Sequence, residues 1–142
     1  MTANEMNSPI ESVEILRPMI EGKTFCDLGT GDGEFLLAIS KYSKAIGIEH
    51  IMVNRNECAR KGLNVIFGDH RLIEWPEADF YYSYPYYHDV SGMMFKTAKY
   101  GKTLIIGSEP HKFAHFPPEL SSQTVLNPLE NWRIAIWRNT AK

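Results

Sequence analysis

The residues best placed to do chemistry are acids that close apolar runs. Asp27-Leu28-Gly29-Thr30-Gly31-Asp32-Gly33 sets an acid near the end of such a run, spaces three glycines at alternate positions, and leads straight into a helical apolar pattern. This reads as strand, tight turn and helix, with backbone bare enough for a ligand to lie against it. A dinucleotide turn has the spacing G-x-G-x-x-G. Here the third glycine comes one place early, and Glu34 stands where that spacing wants glycine. Asp27 would repel a pyrophosphate and suits a cation bearing ammonium and sulfonium groups. Glu49 ends a second apolar run twenty positions after Gly29, where a carboxylate can accept both hydroxyls of a ribose. Gly68-Asp69 follows a third run, and Asp69 is expected to accept from an adenine amino group. A fourth run leads into Ser83-Tyr84-Pro85-Tyr86-Tyr87-His88-Asp89. Aromatic faces attract cations and stack on planar groups, and His88 or Asp89 can take a proton. Any one of these tyrosines can equally be a packing residue.

The elements that must position these groups alternate. Ser8-Pro9-Ile10-Glu11 has a cap, a proline for the first helical position and a capping-box acid. Ile10, Val13, Leu16 and Ile20 then mark a helical stripe that Pro18 ends or kinks. Strands are predicted at 24–28, 45–49, 63–67, 79–83 and 102–107, with helices over 34–43, 50–61 and 90–100. Strands alternating with helices indicate a parallel sheet covered on both faces. Residues 123–126 and 133–137 are strand-like and flank a turn-rich segment, which predicts a closing antiparallel hairpin. In such a sheet the strand ends converge on one crevice, so Asp27, Glu49 and Asp69 are expected to line a single cleft.

Bulk properties narrow the class. A chain of 142 residues suits one domain, with residues 1–7 polar and loose. The net charge of −2 makes no broad field for nucleic acid or an anionic membrane, although a local patch stays open. Cys26 and Cys58 form no C-x-x-C cluster, and His50, His70 and His111 make no metal pattern. There is no basic, apolar leader and no run of transmembrane length. A reduced, cytoplasmic protein without a membrane partner or bound metal is the expectation.

The glycine turn, Glu49, Gly68-Asp69 and the closing hairpin together resemble the class I S-adenosylmethionine-dependent methyltransferases. The resemblance implies a Rossmann-like α/β fold, a doubly wound, mostly parallel seven-stranded sheet of order 3-2-1-4-5-7-6. It implies S-adenosylmethionine as cofactor, held by Asp27, Gly29, Thr30, Gly31, Gly33, Glu49, Gly68, Asp69 and Ser83. It also implies an acceptor side built from Tyr84, Tyr86, Tyr87 and His88. Two branches compete. Ser83-Tyr84-Pro85-Tyr86 resembles the Asp/Asn/Ser-Pro-Pro-aromatic motif of enzymes that methylate planar amines, with Tyr84 in place of the first proline. The brevity, the opening Ser-Pro helix, the Asp-Leu-Gly-x-Gly-Asp-Gly turn and a fifth strand running almost directly into the hairpin are similar to the small protein-lysine methyltransferases of archaeal and mitochondrial type. An N-methyltransferase with a protein lysine as acceptor is therefore the favoured expectation. A planar amine in nucleic acid or a small molecule is the second, and a binding protein without transferase activity the third. The oligomeric state is open.

Overall fold

Seven strands of the computed structural model, which describes residues 8–139, form one sheet of order β3-β2-β1-β4-β5-β7-β6. The chain runs α1 (Glu11–Ile20), β1 (Thr24–Leu28), α2 (Glu34–Ile39), β2 (Lys44–Glu49), α3 (Met52–Arg60), β3 (Val65–Phe67), β4 (Phe80–Ser83), α4 (Val90–Tyr100), β5 (Thr103–Ser108), β6 (Thr124–Leu129) and β7 (Trp132–Trp137). The first five strands are parallel. β7 is antiparallel to both β5 and β6. This is the expected order and hairpin. The expectation of a loose segment over 1–7 lies outside the described residues.

Alternation along the central strands fills both faces. Phe25, Tyr82, Ile105 and Ile134 join Val13, Leu16, Ile20, Phe35 and Ile39 on the face covered by α1 and α2. Cys26, Tyr81, Leu104 and Ile106 join Val90, Met93 and Met94 of α4 on the other. Side chains with a period of two and both faces buried leave a parallel sheet no polar face. The near-continuous apolar runs of β1, β4 and β5 follow from that.

The boundaries differ from expectation where polar side chains find other partners. No capping box forms at α1. Ile10 stands at the helix start without a side-chain cap, and Ser8 is buried, accepting a hydrogen bond from the Tyr82 hydroxyl at 2.7 Å. Pro18 lies inside α1, which runs on to Ile20. The proline removes one backbone donor, while buried Leu16 and Ile20 hold the last turn. α2 stops at Ile39, short of the predicted residue 43. The Ser40 hydroxyl donates to Leu37 O at 2.6 Å, and Ser43 donates to Ile20 O and Lys23 O, both at 3.0 Å. Serine side chains that bond backbone carbonyls compete with helix continuation. β6 continues through Asn127 to Leu129 with a register shift, and Asn127 Oδ1 accepts from Arg133 Nε across the hairpin at 3.1 Å. Between β5 and β6 there are only 3-10 turns at Pro110–His115 and Pro118–Ser121.

Candidate functional site

At the carboxyl ends of β1, β2, β4 and β5 a cleft of about 550 Å³ opens, lined by Asp27 to Gly31, Glu49 to Ile51, Ser83 to Tyr86, and by Ser8, Phe35, Asn54, His70, Asp89, Glu109 and Lys112. Its first wall is the glycine turn. Gly29, Gly31 and Gly33 have φ of +79°, +64° and +91°, a region that L side chains rarely enter. Gly33 has a second reason to be glycine. A Cβ there would meet Leu63 Cδ1 at 2.6 Å and Cys58 Sγ at 2.9 Å. It stands outside the cleft lining and seats α2 against the start of β3 and the end of α3. Ile48 O accepts from the N–H groups of Gly29 and Thr30, at 2.8 and 3.1 Å, so β2 pins the turn.

Two acids form the floor and the second wall. Asp27 is buried and accepts the Thr30 hydroxyl at 2.7 Å. Burial pushes its carboxyl up to about 7; the Thr30 bond opposes this and the charge of Glu49 adds to it. Glu49 is 3% exposed. One of its oxygens accepts Gly31 N–H at 2.8 Å and the other Ile51 N–H at 3.0 Å. It therefore ties the glycine turn to the start of α3. Asn54 Nδ2 donates to the second oxygen as well, at 3.5 Å; a carboxylate has about four lone-pair directions, so the oxygen that accepts Gly31 keeps one.

The remaining expected residues divide. Ser83 lines the cleft, but its hydroxyl donates to Leu28 O at 3.3 Å. Tyr84 lines it with its ring perpendicular to that of Trp132, 4.9 Å between centroids, and its hydroxyl donating to Glu109. Burial and that carboxylate hold its phenol above the usual range. Tyr86 reaches the cleft mouth, exposed and stacked on His88 at 5.8 Å. Gly68, Asp69, Tyr87 and His88 lie off the cleft lining. The Asp69 carboxylate accepts the Arg71 backbone N–H at 2.9 Å and its guanidinium at 3.0 and 2.6 Å. These bonds hold it well below the usual carboxylate range and turn it into a local turn staple. His70 stands at the wall instead. Tyr87 packs against His88 and His115, and His88 Nε2 lies 3.5 Å from Asp89 Oδ1.

Glu109 and Lys112 were not expected at the site. Glu109 follows β5 directly, so it obeys the same rule as Asp27 and Glu49, an acid closing an apolar run. It accepts Lys112 Nζ at 2.6 Å as well as the Tyr84 hydroxyl. Burial alone would raise its carboxyl, but these two partners hold it below its ordinary value.

Residues 11–84, just over half of the sequence, match the family described as methionine biosynthesis protein MetW. The chain belongs to this family. The matched span carries Asp27, the glycine turn and Glu49, while Glu109 and Lys112 of this MetW-family chain lie beyond it. No curated protein matches the sequence. Among solved structures the fold is similar to an RNA methyltransferase from Salinibacter ruber in complex with S-adenosyl-L-homocysteine, at 17% identity and TM-score 0.71, covering 92% of each chain. It is also similar to the N-methyltransferase NodS from Bradyrhizobium japonicum, at 15% identity and TM-score 0.68, covering 92% of this chain and 93% of that one. A third is the ribosomal protein L11 methylase from Lactobacillus delbrueckii, at 14% identity and TM-score 0.69, covering 91% and 77%. The MetW-family domain thus has the S-adenosylmethionine-dependent methyltransferase fold. Among its described residues there is no metal-ligand cluster and no helix long and apolar enough to cross a membrane.

Proposed function

We propose that the cleft binds S-adenosylmethionine and that the domain is an N-methyltransferase for an aliphatic amine, with a protein lysine as acceptor. The observation that carries the donor assignment is Glu49. Its buried carboxylate is fixed by two backbone N–H groups and Asn54 and keeps one acceptor direction for a ribose hydroxyl. The rest of the cleft fits the same ligand. Its volume of about 550 Å³ is that of a small-molecule site. Asp27 on the floor suits an ammonium and disfavours a pyrophosphate. When bound, S-adenosylmethionine supplies a methyl group activated by a sulfonium. The chain's task is to orient the partners and exclude water. Glu49 holds the turn, Asp27 and Thr30 set the charge of the floor, and Tyr84 with Glu109 frames the far wall.

Support for an aliphatic amine comes from that far wall. Glu109 and the Tyr84 face already hold an ammonium, that of Lys112, 5.3 Å from the ring centroid. A planar-amine clamp over 83–86 has less support. The Tyr84 hydroxyl is bound to Glu109 and its ring is packed perpendicular to Trp132. Incubation with methyl-labelled S-adenosylmethionine and separate protein, nucleic-acid and small-molecule fractions tests the proposal. Label in protein, recovered as methyl-lysine, is the expected result, and label confined to nucleic acid refutes the acceptor.

A second reading is a binding module that transfers no methyl group. The Glu109–Lys112 pair favours it by filling the carboxylate an acceptor would use. The family's description as a methionine biosynthesis protein gives such a module a purpose, since methionine is the amino acid built into the ligand. Calorimetric binding with label in no fraction and none on the protein itself would select this reading.

A further inference from the structure

We propose that Lys112 is itself a methyl acceptor of this domain, modified within the same molecule. The inference rests on the donor site proposed above. The sheet order puts β2 on one side of β1, and β4 with β5 on the other. Glu49 therefore lies on one side of Asp27, and Tyr84, Glu109 and Lys112 on the other; with the ribose on Glu49, the methyl would face the Lys112 side. Lys112 is the one lysine lining the cleft among the described residues. Its Nζ lies 2.6 Å from Glu109 Oε2 and 5.3 Å from the Tyr84 centroid. An acid and an aromatic face orienting an amine are what an alkylammonium acceptor requires. A partly exposed ion pair three residues apart adds little to stability, so the fold alone gives no reason to aim it into the cleft.

The reaction balances without a further reagent. A sulfonium bound beside the Lys112 ammonium favours loss of a proton from it, because like charges disfavour each other. Glu109 is placed to take that proton. The Lys112 Nζ lone pair then attacks the methyl carbon. The C–N bond forms as the C–S bond breaks, and its electron pair stays on sulfur. The products are N-methyl-lysine and S-adenosylhomocysteine, and Glu109 passes one proton to solvent.

The test uses the whole chain with S-adenosylmethionine alone. Peptide mass spectrometry should find the mass of a methyl group on Lys112. Excess S-adenosylhomocysteine should suppress it, and the rate constant should not change with protein concentration. Calorimetry supplies a readout that needs no turnover. Lys112→Gln removes a cation beside the sulfonium, so it should favour S-adenosylmethionine over S-adenosylhomocysteine by about three- to tenfold relative to wild type. Equal loss of affinity for both ligands would make Lys112 a clamp for the ligand's own carboxylate and overturn the proposal. So would an unmodified Lys112 in protein shown by calorimetry to bind the donor. Absence of donor binding would instead strike the proposed function, and this inference with it.

Discussion

Protonation of Asp27 should gate binding of the cationic ligand. The acid is buried on the cleft floor, and its carboxyl is pushed up to about 7. Only the ionised form attracts an ammonium. With that value the ionised fraction is about nine-tenths at pH 8, half at pH 7 and one-tenth at pH 6. Affinity for S-adenosylhomocysteine should therefore fall about tenfold from pH 8 to pH 6, or about 1.4 kcal/mol. Near pH 7, binding should release about half a proton, measurable by calorimetry in buffers of different ionisation enthalpy. The ligand's own amino group titrates nearby, so the informative quantity is the difference between wild type and Asp27→Asn. The variant should bind more weakly at pH 8 and lose the wild-type change below it. The same shift fixes the stability of the ligand-free protein. A carboxyl raised from 3.8 to about 7 contributes stability that is complete below pH 4 and lost as pH rises through about 7. The loss is on the order of 4 kcal/mol. Asp27→Asn should thus be the more stable protein at pH 8 and equal to wild type at pH 4. Parallel pH profiles of wild type and variant, in binding and in denaturant melts, would refute the reasoning.

Other residues give sharper local tests. Glu49→Ala removes a buried acceptor of two backbone N–H groups and should cost about 1–3 kcal/mol of S-adenosylhomocysteine affinity by calorimetry. Asp69→Asn should change that affinity by less than about 0.5 kcal/mol, because the Asp69 carboxylate serves Arg71 off the cleft lining. Gly33→Ala meets both a φ of +91° and the Leu63 and Cys58 side chains; a loss of about 2 kcal/mol or more in urea melts is expected. Tyr82→Phe leaves Ser8 without its donor and should cost about 1 kcal/mol. A double-mutant cycle with Ser8→Ala would show the coupling.

The fold was legible because its cause is simple. Buried strands must be apolar on both faces, and glycine punctuates the turns between them, so β1, β2, β4 and α4 lie within a residue of their expected limits. Several misplaced ends come from polar side chains that bond elsewhere. Ser8, Ser40, Ser43 and Asn127 each had a local role to predict, as a cap, a helix interior or a turn. Ser8 and Ser43 instead take hydrogen bonds that the tertiary fold supplies, Asn127 takes one across its hairpin, and Ser40 bonds the Leu37 carbonyl three residues back. Sequence spacing shows that a serine has a donor and an acceptor, but not which carbonyl or phenol will come within reach.

The site follows the same division, and Glu109 shows where the line falls. Acids that close buried strands are forced toward the crevice, since both sheet faces are occupied by core. Asp27 and Glu49 were found by that rule. Glu109 satisfies it as well, one residue past β5, yet proline-rich sequence after it obscured the strand end. Asp69 also satisfies it and still lies off the cleft lining, where Arg71, two residues on, binds both of its oxygens. A cation close in sequence can therefore tie a strand-terminal acid into a local turn. Glu109 is the contrasting case. Lys112 is close enough to capture it, yet the pair stays in the cleft beside Tyr84. Glu109 holds its ammonium within the cleft, whereas Asp69 holds its guanidinium off the cleft lining.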